Sequence, residues 1–361
     1  MRICFIAPAN NYHTKKWANW FTNRGHEVHV VSFIKDEIEG VKVHFIDTGA
    51  SAEGSDTSKL KYLLSAGKMK RIVKAIKPDI INVHYATSYG TVAALSGIKS
   101  YILSVWGMDI YDFPKKSFLH KLMLEFSLKR ASKLFSTSKA MAKEGKKYTK
   151  KKFVITPFGV DMDLFNPDKR TRDTSDNKLV VGTIKGLTEK YGISYILKSV
   201  AIVRKAIDVP VELRLAGKGA QEAEYKRLAQ DLGIDDITNW LGFISQEEAA
   251  NEWANMDIAL IPSTLESESI GVSAVEAQAC GTPVIISDIP GLMEATVPEK
   301  TSIVVKRKDE RELADAIISL YKDKERRKLL SERGRAFVCN TYELNSCFEK
   351  IEKYYNELIE K

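Results

Sequence analysis

This chain of 361 residues has no long apolar run and no paired cysteines. No stretch approaches the ~20 apolar residues that a membrane-spanning helix needs, so none is expected. The opening MRICFIAPANNYHTKKW holds an apolar run of only about seven residues, short for the core of a secretion signal. It reads instead as a buried first strand ending at Pro8, and a cytoplasmic location is the expectation. Cys4, Cys280, Cys339 and Cys347 are scattered without a C-x2-C pair. That spacing argues against a disulfide framework and against a zinc site, so reduced thiols are expected. Low-complexity segments and obvious internal repeats are missing too. A phosphate loop is also absent: GKG at 217–219 fits neither G-x4-G-K-[ST] nor G-x-G-x-x-G.

What is present is asymmetric. The length favours two domains over one core. The formal net charge of +8 conceals two halves of opposite sign. Residues 1–160 hold 27 Lys+Arg against 12 Asp+Glu, a net of +15, while residues 161–361 hold 28 against 35, a net of −7. The first half should face something anionic, and the second must build any anion site from local groups.

Short apolar runs alternate with helical patterns along the chain. RICFIAP, EVHVVSF, KVHFID, DIINVHY, SYILSVW and KLFSTS read as strands, separated by segments with apolar residues every three to four positions. GASAEGSDTS (49–58) reads as a polar loop. After TPFGVDMDLFNP, the segment DKRTRDTSDNK is almost devoid of apolar residues and reads as a linker. The pattern then restarts with LVVGTI, VELRLAG, ITNWLGF, DIALIPS, PVIISD and SIVV. Alternation of this kind predicts α/β domains with parallel sheets covered on both faces. Two Rossmann-like sheets in series would face each other across a cleft at their C-terminal edges. FEKIEKYYNELIEK ends the chain as an amphipathic helix.

The chemistry concentrates in ESESIGVSAVEAQACGTPVI (266–285). A helix is predicted from about Ile270, with Ser269 as its N-cap, to Cys280–Gly281. Glu268 and Glu276 would then lie roughly 12 Å apart along the axis. Glycosidase carboxylates sit at about 5–9.5 Å, which argues against hydrolysis. The helix start, with amides of Ile270, Gly271 and Val272, suits a phosphate instead. Glu276 would accept hydrogen bonds from hydroxyls, or else lie on a solvated face; Glu268 would hold a second polyol. Such a site fits a sugar attached to a nucleotide.

The same stretch resembles the E-x7-E signature of retaining glycosyltransferases of the GT-B fold, family 4, with Gly271 at its centre and EA, CG and PVI after it. TPFGVDMDLFNP resembles that family's hinge, with Phe158 where Asn is usual. LAGKGAQEAEYKRLA, containing Gly217, resembles the donor-domain glycine loop, and NWLGFIS resembles the base-binding loop, Leu241, Gly242, Phe243 and Ile244. VGTIKGLTEKYGI resembles the segment where the family has an Arg and then a Lys-Gly pair. Here Lys185 and Lys190 are the available cations. The resemblance covers nearly the whole chain and implies a GT-B enzyme of two Rossmann-like domains. An acceptor domain would occupy 1–160, a hinge 161–177 and a donor domain 178–342, with the helix at 343–361 back on the first.

It further implies roles. Lys185 and Lys190 would take the diphosphate, Glu276 the ribose, and Glu268 with the amides of Ile270 to Val272 the sugar. Departure of the diphosphate and same-face attack by the acceptor would be concerted, without a side-chain nucleophile or a cofactor. Closure about 158–170 would exclude water. DMD (161–163) imitates a metal-binding D-x-D, but Asp161 reads as a cap and no metal is expected. Asn10, Asn11 and His13 after the first strand would face the cleft near the acceptor or the donor phosphates, with His84 at another strand end and Trp106 and Asp109 at a third. Many relatives have His where Trp106 stands. UDP-sugars are the expected donors on family frequency. The expected acceptor is lipid-linked or a polysaccharide, in capsule, O-antigen or exopolysaccharide assembly.

Residues 115–152 hold thirteen Lys+Arg against two acids, interleaved with Leu, Phe, Met and Tyr. This suits the anionic inner face of a plasma membrane, or else a plain solvated face; no nucleic-acid module is visible, and no such partner is expected. Two rivals remain. One is a nucleotide-sugar epimerase on the same fold, which needs acid–base side chains and no acceptor surface. The other is a non-catalytic sugar- or membrane-binding module.

Overall fold

The computed structural model describes residues 1–49, 60–173 and 177–360. The polar loop read at 49–58, beyond Gly49, and positions 174–176 of the linker lie outside the described residues. The chain divides into two units, Met1–Phe158 with Phe348–Lys361, and Gly159–Cys347.

Unit 1 holds a parallel sheet of β1 (Arg2–Ile6), β2 (Glu27–Ser32), β3 (Lys42–Phe45), β4 (Ile80–His84), β5 (Ile102–Val105), β6 (Lys133–Ser136) and β7 (Phe153–Ile155), in the order β3-β2-β1-β4-β5-β6-β7. Helices α1 (Tyr12–Asn23), α2 (Ala66–Ile76), α3 (Ser88–Ser96), α4 (Met108–Tyr111), α5 (Phe118–Arg130) and α6 (Lys139–Gly145) connect the strands. The inner strands β1, β4 and β5 are buried almost throughout rather than alternately, because both faces are covered. Residues 60–76 do not form one α-helix. A 3-10 segment, Leu60–Ser65, precedes α2. The edge strand β7 has only three half-buried residues, too short a run to read as a strand beforehand.

Unit 2 holds a second parallel sheet of β8 (Leu179–Ile184), β9 (Val211–Ala216), β10 (Thr238–Gly242), β11 (Ile258–Ile261), β12 (Val284–Ser287) and β13 (Ser302–Val305), ordered β10-β9-β8-β11-β12-β13. Its helices are α7 (Ile193–Ala206), α8 (Glu222–Asp231), α9 (Gln246–Ala254), α10 (Val272–Ala279), α11 (Pro290–Glu294), α12 (Glu310–Lys322) and α13 (Lys324–Tyr342). The polar segment after Gly159 is docked on this unit. Arg170 and Arg172 pair with Asp257 at 3.3 and 2.6 Å, and Asn255 Oδ1 accepts the Arg172 N–H at 2.7 Å. Its polarity therefore reflects ion pairs and hydrogen bonds. Asp161 accepts the N–H groups of Asp163 and Leu164, capping a turn.

Helix α14 (Leu344–Ile359) enters unit 1 at Phe348. Phe348, Ile351 and Tyr355 are fully buried there. Phe348 packs edge-on to Trp17, and Tyr355 stacks on Phe21 at 5.3 Å and accepts from Asn82 Nδ2 at 2.6 Å. At its flank Glu352 meets His26 at 2.6 Å and Arg24 at 3.0 Å, which gives His26, assigned no role from sequence, a structural one.

Strand order reverses between β1 and β4 in unit 1 and between β8 and β11 in unit 2. In parallel sheets such a reversal splits the two adjoining loops to opposite faces and opens a crevice at the strand ends, where ligands bind.

Candidate active site

In unit 2 the crevice position lies between the loops that follow β8 and β11. Lys185 follows β8 directly, and its N–H donates to Ala216 O at 2.9 Å. Gly217, beside it, has φ +135°, and a Cβ there would lie 2.0 Å from Lys185 O. Only glycine lets the loops after β8 and β9 touch. From the other side Thr264 donates its N–H to Lys190 O at 2.7 Å and its hydroxyl to Glu189 O at 2.9 Å. The two loops are thereby stitched together by backbone.

That stitching brings the charges into contact. Lys185 Nζ lies 2.9 Å from Glu268 Oε1, with the two side chains only 9% and 7% exposed. Burial opposes both charges, but the partner's charge, their mutual hydrogen bond and nearby charged groups together outweigh it, holding Lys185 above and Glu268 below its ordinary pKa. Both are therefore charged at neutral pH. Lys190 Nζ donates to Ser267 O at 3.0 Å, and its charge also acts on Glu268. The Tyr191 ring sits 4.9 Å from Lys185 Nζ and 5.3 Å from Lys190 Nζ, a cation–π contact with each. Glu276 is buried rather than solvated, and its field reaches Lys185.

The helix of the signature starts later than its sequence suggests. Gly271, not Ser269, is the N-cap, and α10 opens at Val272, leaving Ile270 and Gly271 in the loop. Gly271 is left-handed, φ +59°, and a Cβ there would meet Leu292 Cδ2 at 2.3 Å. Ser273 Oγ donates to Ile184 O at 3.1 Å, tying the helix start to the end of β8. The 241–244 segment is only partly loop. Leu241 and Gly242 close β10, Gly242 O accepts the Gly217 N–H at 2.6 Å, and Phe243 is 79% exposed. Ile244 is half-buried ahead of Ser245, which caps α9. Glu266, without a role in the sequence reading, pairs with Arg307 at 3.6 Å on the surface. No group of three or more metal-ligating side chains occurs among the described residues.

Two family models match the chain, Glycosyl transferase 4-like over residues 2–138 and Glycosyl transferases group 1 over residues 166–337. The chain belongs to the GT4-type glycosyltransferases of the GT-B fold. It is 32% identical over 177 residues to the D-inositol 3-phosphate glycosyltransferase of Pseudarthrobacter chlorophenolicus, covering 47% of this chain and 42% of that one. The chain thus spans less than half the length of the first curated relatives it matches. Sucrose-phosphate synthase from Thermosynechococcus elongatus has a similar structure, with a TM-score of 0.84 at 19% identity over 99% of both chains. Anabaena HepE in complex with UDP and glucose gives a TM-score of 0.79 at 18% identity, covering 99% of this chain and 100% of that one. These two likenesses concern the fold.

In unit 1 of this GT4-type chain, the residues read as cleft-lining do gather at the β1–β4 reversal, but as packing and caps. Asn11 is the N-cap of α1, its Oδ1 accepting the N–H groups of His13 and Thr14, while Asn10 is exposed. Asp109 is buried and accepts N–H bonds from Ala86, Trp106 and Gly107. Burial raises its pKa despite those donors. It clamps the loops after β4 and β5, which its position at a strand end did not reveal. His84 is fully buried among Phe5, Trp17 and Trp106, with neither ring nitrogen hydrogen-bonded, and burial lowers its pKa to about 3. His13 stacks flat on Phe158 at 3.9 Å, and burial, Lys16 and His84 hold it well below its usual pKa. Trp106 closes the cluster edge-on to Phe158 at 5.2 Å. The departures at 106 and 158 from the family pattern are thus partners in one aromatic plug.

Two outcomes follow. Glu268→Ala leaves Lys185 buried without its hydrogen-bonded counter-charge and should destabilise unit 2 by about 3–5 kcal/mol in denaturant titrations. Lys185→Met with Glu268→Leu should recover most of that loss; a double variant as unstable as Glu268→Ala contradicts the pairing. His84 titrates near 6.5 when unfolded and near 3 when folded, so the unfolded chain binds the extra proton in between. Thermal stability should therefore fall as pH drops below about 6.5, and His84→Leu should flatten that slope relative to the parent. An unaltered slope contradicts the burial of a neutral ring.

Proposed function

We propose that this chain is a retaining, metal-independent glycosyltransferase. It would move a hexosyl or N-acetylhexosaminyl group from a nucleoside-diphosphate sugar, UDP-linked first, to a lipid-linked or polysaccharide acceptor. The observation that carries this reading is the buried Lys185–Glu268 pair with Lys190 beside it, at the strand-order reversal of unit 2.

The pair keeps an ammonium charged inside the protein before any donor arrives. Lys185 has three N–H donors, one of which goes to Glu268. A diphosphate would take further donors from Lys185 and Lys190, and the opening amides of α10 would add partial positive charge. Charge that grows on the leaving diphosphate meets fixed cations that need little reorganisation, which favours the transition state over the ground state. Glu268 would also accept from sugar hydroxyls, and Glu276 from the ribose. Acceptor attack would occur on the face the diphosphate leaves, with a phosphate oxygen taking the acceptor's proton, so no side-chain nucleophile is needed.

Support for the donor class comes from HepE, whose structure holds UDP and glucose. Support for a phosphorylated acceptor comes from the name of the inositol phosphate relative. The basic unit 1 would hold the acceptor at the inner face of the plasma membrane, in surface-glycan assembly. The epimerase rival needs acid–base side chains and no acceptor surface, so the net charge of +15 over residues 1–160 disfavours it; His13 and His84 are held neutral among aromatic rings.

Transfer from UDP-, GDP- and ADP-sugars to a polyprenyl-diphosphate sugar tests the reading, with the product's anomeric configuration assigned by NMR. One nucleotide class should support transfer with retention, undiminished by chelator. Lys190→Met should lower kcat/KM by ~10²–10³-fold without unfolding the chain. An inverted product, or full activity in Lys190→Met, overturns it.

A further inference from the structure

Helix α5 is apolar on both sides. Leu124 and Leu128 point into unit 1 and are buried, whereas Phe118, Leu119, Leu122 and Phe126 are 74%, 63%, 43% and 37% exposed. At 100° per residue these four fall within an arc of about 100°, one continuous outer face of the helix. Two further exposed apolar side chains lie on other helices of unit 1: Leu95, 50% exposed, on α3, against which α5 packs, and Met108, 62% exposed, on α4. Scattered exposed apolar side chains are ordinary on a protein surface, but a run of them on one helix face is not.

The charge around this face has one sign. Lys115 and Lys116 precede the helix, and Lys129 and Arg130 end it, all exposed. Its only acid, Glu125, lies on the flank within 3.8 Å of Lys121. Leu and Phe encircled by Lys and Arg match the interfacial region of an anionic bilayer, where acyl chains take the apolar groups and headgroups the cations. A second copy of the chain fits poorly. A two-fold contact sets the same patch against itself, placing lysines opposite lysines.

We propose that α5 is a membrane-inserting helix, lying in the plane of an anionic lipid surface with Phe118, Leu119, Leu122 and Phe126 among the upper acyl chains. This deepens the membrane part of the functional reading and rests on it for its purpose, since a lipid-linked acceptor would lie in that surface. Attraction by the lysines alone would be reversed by salt. Insertion of four large side chains adds a part that salt does not remove.

The full chain is tested by sedimentation with phosphatidylcholine vesicles, with and without phosphatidylglycerol. Binding should require the anionic lipid and persist in part at high salt. Replacing Phe118, Leu119, Leu122 and Phe126 together by Gln should weaken it ~10-fold or more. Their exposure lets the chain keep its fold, checked by an unchanged melting temperature and unchanged UDP binding. Leu122→Trp, with acyl-brominated lipid, should show quenching beyond that of the parent's five tryptophans. Unchanged binding in the Gln variant overturns the proposal, as does bound Leu122→Trp protein whose added indole is not quenched. So does a wild-type dimer that the Gln variant abolishes while vesicle binding stays the same. None of these outcomes touches transfer to a soluble acceptor, so failure here is separable from failure of the proposed activity.

Discussion

Two opposite charges, on Lys185 and Glu268, are held 2.9 Å apart with almost no access to water. Either alone would be costly enough in that position to discharge or to pull the loop outward. Together they are stable only if both loops are fixed, and much of the local structure in unit 2 serves that requirement. Gly217 lets the β9 loop press on Lys185 O, Thr264 ties the β11 loop to residues 189–190, and Ser273 ties α10 to the end of β8. Tyr191 then places one aromatic face within reach of both lysines. The site is pre-organised by backbone contacts, with its charge present before a ligand binds.

The two sheets share a topology and use the equivalent edge differently. In unit 2 the strand-order reversal carries ammonium and carboxylate groups. In unit 1 it is filled by Phe5, His13, Trp17, His84, Trp106 and Phe158. Burial keeps both histidines of that plug neutral, so its contribution is shape and apolar surface rather than proton transfer. The positive charge of unit 1 lies outside the plug, along the chain that includes α5.

Much of this was legible beforehand, for identifiable reasons. Most strands are buried apolar-rich runs between turn residues, so twelve of the thirteen strands among the described residues could be read from pattern alone; β7, short and half-buried, could not. Glu268, Lys185 and Lys190 stood out through the resemblance of their segments to the GT4 family. Their pairing did not, because 83 residues separate Lys185 from Glu268 and only the folded sheet makes β8 and β11 neighbours. The backbone caps made by Asn11 and Asp109 were not legible, because a polar residue in a strand-to-helix turn looks the same whether it caps backbone or binds a ligand. The start of α10 was misplaced by two residues because Ser269 is the stronger N-cap by propensity. Space beside Leu292 decided for Gly271. The outer face of α5 was visible only as interleaved Lys, Leu and Phe until burial separated its two sides.

The view that unit 2 holds a nucleoside diphosphate through a pre-charged lysine pair is tested most directly by calorimetric titration of UDP, GDP and ADP. Wild-type protein and the Lys185→Met/Glu268→Leu variant are compared. The wild type should bind one of the three diphosphates. The variant, folded but lacking the ammonium, should bind it ~100-fold more weakly, a loss in the range typical of buried charge-assisted contacts. Equal affinity of the two proteins, or no nucleoside diphosphate bound by either, would contradict it.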